Sequence, residues 1–221
     1  MIARGRGPTG VTYDRRMALT ELLLASQNKG KLAEMRTLLE GLPFHVLSPA
    51  ELGITEAPEE TGSTFIENAT LKAIHYSRAA GRLAVADDSG ISVDALDGRP
   101  GLLSARFGGE GASDDERNAL LLSMLKGLPP ERRGAHFTCA VVVARPNGSG
   151  APDVLFQAEE KVDGRIAEEP RGGNGFGYDP IFFFPPYGCT FGEVVHEKKD
   201  RVSHRGKAFA RLRAFLESAR P

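Results

Sequence analysis

Apolar and polar positions along this 221-residue chain fall into short blocks whose period switches repeatedly. Glu21-Leu-Leu-Leu-Ala25 is a continuous apolar run that predicts a buried strand, and the polar, glycine-bearing stretch after it predicts a turn. Leu32, Met35, Leu38 and Leu39 then recur at helical spacing, with Gly41 and Pro43 as the stop. Phe44 to Leu47 reads as a second strand. Thr64-Phe-Ile-Glu67 has the form of a capping box and opens a helix to about Gly81. Leu83 to Ala86 is a third strand, ending abruptly at Asp87-Asp88-Ser89-Gly90, where the glycine predicts a sharp turn. A second capping box, Ser113 to Glu116, precedes Leu120, Leu121, Met124 and Leu125. Phe137 to Arg145 is the most β-branched stretch, turned by Pro146-Asn147-Gly148 toward the alternating Val154, Phe156 and Ala158. Ile181 to Phe184 is a late strand, and Phe209, Leu212, Phe215 and Leu216 mark a final amphipathic helix. Strand–helix units mixed with hairpins predict an α/β fold on a mixed sheet. No linker divides residues 17–221, which are expected to form one two-lobed domain with a cleft. Residues 1–16 lack an apolar period and read as a flexible extension, with Met17 opening the domain proper.

Composition narrows the function more than the fold. Lys+Arg 28 against Asp+Glu 29 leaves a net charge of -1, which argues against a duplex-DNA binder held mainly by charge. No apolar run approaches the ~18 residues needed to span a bilayer. Cys139 and Cys189 stand far apart without metal-ligand spacing, as suits a reducing compartment.

Four polar clusters lie at the edges of apolar elements. In Ser26-Gln27-Asn28-Lys29-Gly30-Lys31, the N–H groups of a helix start favour an anion, Ser26 and Asn28 can donate to it, and Lys31 can bend back to neutralise it. The stretch is not a Walker A loop, because Leu32 stands where Ser or Thr would hold magnesium. Asp87-Asp88 offers adjacent hard oxygens suited to Mg2+ and to orienting or deprotonating a water. Glu59-Glu60 precedes the helix on which Asn68 and Lys72 share a face, offering Glu60 as a second metal ligand and Lys72 as a second phosphate cation. The glycine-dense loop Gly172 to Pro180 carries Phe176 and Tyr178, which can present a ring to a flat ligand. Lys199, His204 and Arg205, in the basic stretch before the last helix, can meet phosphate or a purine edge. Two phosphate cations, a carboxylate pair and an aromatic shelf are what a metal-dependent enzyme acting on a nucleoside triphosphate needs. The residues themselves leave open which anhydride is cut and which base is read.

Taken in order, Ser26 to Lys31, Glu60-Thr-Gly with Phe65-Ile-Glu-Asn-Ala69 and Lys72, Ala86 to Gly90, Gly98-Arg-Pro-Gly101 with Ser104-Ala-Arg106, Phe176 to Pro180 and Ser203-His-Arg-Gly206 resemble the inosine triphosphate pyrophosphatase family. That family comprises pyrophosphatases of non-standard purine nucleoside triphosphates, also called XTP/dITP diphosphatases. The resemblance runs from about Leu22 to Leu216. It implies hydrolysis of dITP, ITP and XTP to the monophosphate and pyrophosphate with Mg2+, in a cytoplasmic homodimer without nucleic-acid or membrane partners. It also implies a long, twisted mixed β-sheet flanked by helices, with two lobes and a central substrate cleft. Carried over residue by residue, Asp88 is the catalytic base and a metal ligand, and Glu60 the other ligand, with Glu59 the alternative. Ser26, Gln27, Asn28, Lys29, Gly30 and Lys31 bind the triphosphate, and Lys72 and Ser89 touch phosphate or sugar. Phe176, Gly177, Tyr178, Asp179, Lys199, His204 and Arg205 hold the base, with His204 and Arg205 stacked on Phe176 and reading its 6-oxo edge. The first motif departs from the family's usual Thr-Gly-Asn, since Gln27 replaces a glycine. A related pyrophosphatase of pyrimidine or modified nucleotides, and a non-catalytic nucleotide-binding module, are the alternatives.

Overall fold

Strand β1 (Thr20–Leu24) is flanked by β2 (Phe44–Leu47) and β3 (Leu83–Val93), both parallel to it. Beyond β3 every pairing is antiparallel: β4 (Gly134–Arg145), β5 (Asp153–Ile166), β6 (Phe182–Phe184) and β7 (Cys189–Thr190) complete a seven-stranded sheet in the order β2-β1-β3-β4-β5-β6-β7. The sheet is therefore mixed, as the sequence predicts. The computed structural model describes residues 20–148 and 150–218; the extension expected over residues 1–16 lies outside them.

Among the described residues five α-helices flank the sheet: α1 (Lys29–Leu38), α2 (Phe65–Ala80), α3 (Asp114–Met124), the short α4 (His196–Asp200) and α5 (His204–Ser218). Their ends follow local chemistry. Asn28 caps α1 by accepting from Lys31 N–H at 2.9 Å. Ser113 and Glu116 close a reciprocal capping box on α3. The box expected at α2 is shifted. Thr64 accepts from Glu67 N–H, but the Glu67 carboxylate takes the amide and hydroxyl of Ser63, one residue further out.

The pleat of β3 sorts the core. Val85, Ile91 and Val93 face one way and Ala84 and Ala86 the other. On the first face, Val85 joins the cluster under α1 and α5, with Met35, Phe209 and Leu212. Ile91 and Val93 join a second cluster with Leu121, Leu125, Phe137 and Phe182. On the opposite face, Ala84 and Ala86 pack with Ala69, Ala73 and Tyr76 of α2. Asp87 and Ser89 occupy the gap between the two clusters of the first face.

Contrary to expectation, β3 does not end at Asp87-Asp88-Ser89-Gly90 but runs through it, paired with β4 from Ala84 to Val93. Gly90 makes no sharp turn. A Cβ there would come within 2.5 Å of Ser104 Oγ and would collide with the Gly101 carbonyl. Its role is close approach: β1 pairs only with Leu83 to Val85, so the freed edge of β3 is covered by the 3₁₀ helix Gly101–Arg106, where Ser104 Oγ accepts from Ile91 N–H at 2.9 Å.

Candidate active site

Where β1 stops and β3 continues, the turn 25–28 and the first residues of α1 lie over the exposed part of β3. Ala25 N–H still bonds Val85 at 2.7 Å, after which the chain lifts away. Ligands of α/β sheets gather at such carboxyl ends of parallel strands. Asn28 uses its side-chain oxygen for the cap, so only its Nδ2 group is left to donate outward. Gln27 Nε2 donates to Thr55 O at 2.9 Å. Lys29 is exposed and lines neither cleft described below. Gly30 serves a different neighbour from the one expected: a Cβ there would sit 2.9 Å from two ring atoms of Phe176.

The adjacent carboxylates of β3 point to opposite faces. Asp88 turns toward α2, where Lys72 Nζ donates to Asp88 Oδ1 at 2.8 Å and to Glu60 Oε1 at 3.0 Å. Arg106 takes the second Glu60 oxygen at 2.6 Å, and Asn68 Nδ2 reaches Asp88 Oδ2 only at 3.4 Å. Burial pushes the Asp88 carboxyl up and outweighs the attraction of Lys72 and Lys31. At Glu60 burial acts in the same direction, but Lys72 and Arg106 prevail and hold the carboxyl low. Two hard oxygens thus converge on one cationic position, now taken by the Lys72 ammonium. Among the described residues no third His, Cys, Asp or Glu joins them. A pair of carboxylates with room for substrate oxygens fits Mg2+, which usually takes one or two carboxylates and completes its shell with phosphate and water.

Asp87 turns to the other face and is buried. Its Oδ2 meets Lys31 Nζ at 3.1 Å and Arg205 Nη2 at 3.1 Å. Arg205, equally buried, also donates to Ser89 Oγ at 2.9 Å and to Glu34 Oε2 at 2.6 Å. The other Glu34 oxygen accepts from Lys199 Nζ at 2.6 Å, and Lys199 reaches Asp179 Oδ2 at 2.5 Å. Asp179 in turn accepts from Phe176 N–H at 3.0 Å. An alternating chain of charges therefore runs from Lys31 to the aromatic loop. Burial opposes ionisation of Asp87, but Lys31 and Arg205 hold its carboxyl far below the usual range. Burial likewise opposes the Glu34 charge and is outweighed by Arg205 and Lys199. At Asp179 burial wins and the carboxyl is pushed up.

The aromatic loop meets this chain from above. Lys199 Nζ lies 5.2 Å and the Arg205 guanidinium 5.5 Å from the centre of the Phe176 ring. His204 does not stack on Phe176 as expected; its ring lies on Phe137, with centroids 4.5 Å apart and planes 9° from parallel. Burial, then the charges of Arg205 and Lys199, drive its pKa well below the ordinary histidine value, so His204 is neutral at pH 7. The reading of Arg205 as a base-facing donor also changes. Four of its five N–H groups are committed to Asp87, Glu34 and Ser89. Lys199 is held by two carboxylates.

These residues line two adjoining clefts. One is bounded by Ser26, Gln27, Lys72, Glu60 and Asp88. The other is bounded by Phe176, Gly177, Tyr178, Asp179, Lys199 and His204. Asn28, Lys31, Ser89 and Ala105 belong to both, so the clefts join end to end. The profile of the Ham1 family matches residues 22–215.

The chain belongs to the Ham1 family.

Among its relatives, a dITP/XTP pyrophosphatase of Desulforamulus reducens is 46% identical over 197 residues, covering 89% of this chain and 95% of the relative. A dITP/XTP pyrophosphatase of Xanthomonas oryzae pv. oryzae is 47% identical over 200 residues, covering 90% and 98%. The structure of a HAM1 protein from Coxiella burnetii superposes with a TM-score of 0.79 at 41% identity, covering 90% of this chain and all of that one. The Staphylococcus aureus Ham1 protein gives 0.77 at 38% identity, covering 91% and all of it.

Within this Ham1 site the sequence reading overlooks Glu34, a lone acidic residue in an amphipathic helix, which links Lys199 to Arg205. It also overlooks α3, whose Asp114 and Arg117 line the cleft beside Gly177. The signal for Asp114 was available, since the Ser113 cap fixes where α3 begins.

Proposed function

We propose that this Ham1 chain hydrolyses dITP, ITP and XTP to the nucleoside monophosphate and pyrophosphate. The observation that carries the reading is the pair of joined clefts, one lined by cations and paired carboxylates, the other by an aromatic shelf. Their lining suits a nucleotide laid with its phosphates toward Lys31 and Lys72 and its base toward Phe176. The activity printed for the relatives supports the same assignment.

Glu60 and Asp88 would hold Mg2+, which supplies charge neutralisation at the phosphates when bound. Asp88, in the same position, orients the attacking water and takes its proton, and its raised pKa suits a base working nearer neutrality. Lys72 is handed from the two carboxylates to a phosphate oxygen. Lys31 stays on Asp87 and faces the phosphates from the other side, with Ser26 and the Asn28 amide as neutral donors. Ser89, whose hydroxyl already accepts from Arg205, sits between the clefts where the sugar would lie. Arg205, Lys199 and Asp179 keep the shelf in place, and neutral His204 offers one ring donor to the base. We further infer that the enzyme works as a cytoplasmic homodimer. Among the described residues no helix is long and apolar enough to cross a membrane.

The test is turnover of dITP, XTP, dATP, dGTP and dTTP with Mg2+, with phosphate released only when inorganic pyrophosphatase is added. Strong preference for dITP and XTP with pyrophosphate as product is the expected result. Phosphate released without the coupling enzyme, or equal turnover of all five, overturns the reading.

A further inference from the structure

Gly177 is gripped at both ends of its own residue by α3. Its N–H donates to Asp114 Oδ2 at 2.7 Å, and its carbonyl accepts from Asn118 Nδ2 at 3.0 Å. Asp114 and Asn118 are one turn apart, so they share a helix face. Between them Arg117 is bound to the second Asp114 oxygen and donates to Ala105 O at 3.1 Å and Ala112 O at 2.5 Å. Ala105 and Gly177 both line the aromatic cleft. A third tie, from Tyr178 hydroxyl to Ser104 O at 2.8 Å, joins the same two segments.

The grip acts on a glycine-rich segment that is otherwise tied down by Asn174 N–H on Gly192 O at 2.9 Å and by Asp179. Gly172, Gly173, Gly175 and Gly177 leave the backbone before Tyr178 with unusual conformational freedom, and Gly177 itself stands at φ +64. Phe176, the shelf residue, lies directly between two anchors: Asp179 takes its own N–H, and α3 takes both polar groups of the next residue. With its backbone fixed on both sides, the ring packs close to Gly30 and within 5.2 and 5.5 Å of the Lys199 and Arg205 cations.

We propose that Asp114 and Asn118 are positioning residues for base recognition: they hold the Gly177 peptide so that Phe176 is preformed as the shelf, while the phosphate end is organised independently. Neither touches the phosphate cleft. Loss of the grip should weaken binding of the base and leave the chemistry of the bound triphosphate in place. This rests on the pyrophosphatase reading only for its choice of substrate.

The experiment compares wild type with Asp114→Ala, which is half-exposed at a helix start, and Asn118→Asp, which keeps shape but puts an acceptor against the Gly177 carbonyl. With dITP, KM should rise about tenfold in each while kcat changes by less than about threefold, as expected when uniform binding is lost. Inhibition by inorganic tripolyphosphate, which reads the phosphate end alone, should be unchanged. Asp114→Asn, which keeps an oxygen for the Gly177 N–H, should recover most of the lost affinity. In nucleotide-free Asp114→Ala, amide exchange should quicken across residues 175–178. Unchanged KM, a parallel loss of tripolyphosphate affinity, or a fall in kcat at constant KM would overturn the proposal. If wild type itself fails to turn over dITP, the proposed function falls, and amide exchange still decides whether α3 holds the loop.

Discussion

One carboxylate oxygen of Asp87 accepts from both Nε and Nη2 of Arg205, at 3.3 and 3.1 Å, and both side chains are buried. Without Arg205, Asp87 keeps Lys31 and Glu34 keeps Lys199 as partners. Arg205→Ala should therefore destabilise the fold by less than the about 3–5 kcal/mol of a wholly uncompensated buried charge. It should lower kcat/KM for dITP and dATP alike, because most of the guanidinium is committed inside the protein. Urea unfolding and steady-state kinetics on both nucleotides check this, and a loss confined to dITP would make Arg205 a base reader instead.

The same chain of charges sets an acid limit. Asp87 and Glu34 have folded pKa values below those of the unfolded chain. Groups depressed in this way stabilise the fold above the ordinary carboxylate range and lose that contribution as pH falls through their folded values. The urea midpoint should decline from roughly pH 5 downward. Glu34→Gln should be less stable at neutral pH and should show a shallower decline, because one of the two protonations no longer opposes folding.

Asp88 presents the complementary case, a carboxylate placed for chemistry rather than for cohesion. Asp88→Asn keeps the shape and should leave the thermal midpoint close to wild type. Loss of a general base typically costs ~10²–10⁴-fold in turnover, and kcat at saturating Mg2+ should fall within that range. Turnover near wild type would remove Asp88 from the mechanism.

Lys72 stands at the point where Glu60 and Asp88 converge. Lys72→Met removes the ammonium, leaving Asp88 without its ammonium partner and Glu60 held by Arg106 alone. Nucleotide-free Lys72→Met should bind Mn2+ more tightly than wild type in an electron paramagnetic resonance titration, although its turnover should drop through loss of a phosphate cation. Weaker or unchanged Mn2+ binding would mean that these oxygens do not form the metal position.

Gly90→Ala tests the edge of β3. The added methyl meets the Gly101 carbonyl and Ser104 Oγ, both fixed by the 3₁₀ helix. Overpacking of this kind costs about 1–3 kcal/mol, readable as a lowered urea midpoint.

Caps and periodic faces were legible because they depend on near neighbours: Thr64 and Ser113 each bond within their own first turn. The course of β3 was not. Polar residues in mid-strand read as a stop, and only tertiary partners from α1, α2 and α5 make Asp87 and Asp88 tolerable inside a sheet. Glu34 was invisible for a similar reason. Its partners Lys199 and Arg205 lie 165 and 171 residues away, and nothing local separates it from a solvated glutamate. The aromatic loop was recognisable from Phe176 and its glycines and the start of α3 from Ser113, but the contact between them was not, since Asp114 and Asn118 lie 63 and 59 residues from Gly177.

The continuity of β3 makes the sheet a partition between two carboxylates that are neighbours in sequence. Asp87 is sealed among Lys31 and Arg205 on one side, while Asp88 faces the metal position on the other, so cohesion and reactivity are assigned to consecutive residues by parity alone. Such a division is digital. Insertion or deletion of a single residue between Leu83 and Asp87 would send each carboxylate to the wrong face, leaving a reactive group buried among structural cations and a structural group exposed to substrate. Point substitutions in this strand can be graded in their effects, but changes in its length cannot.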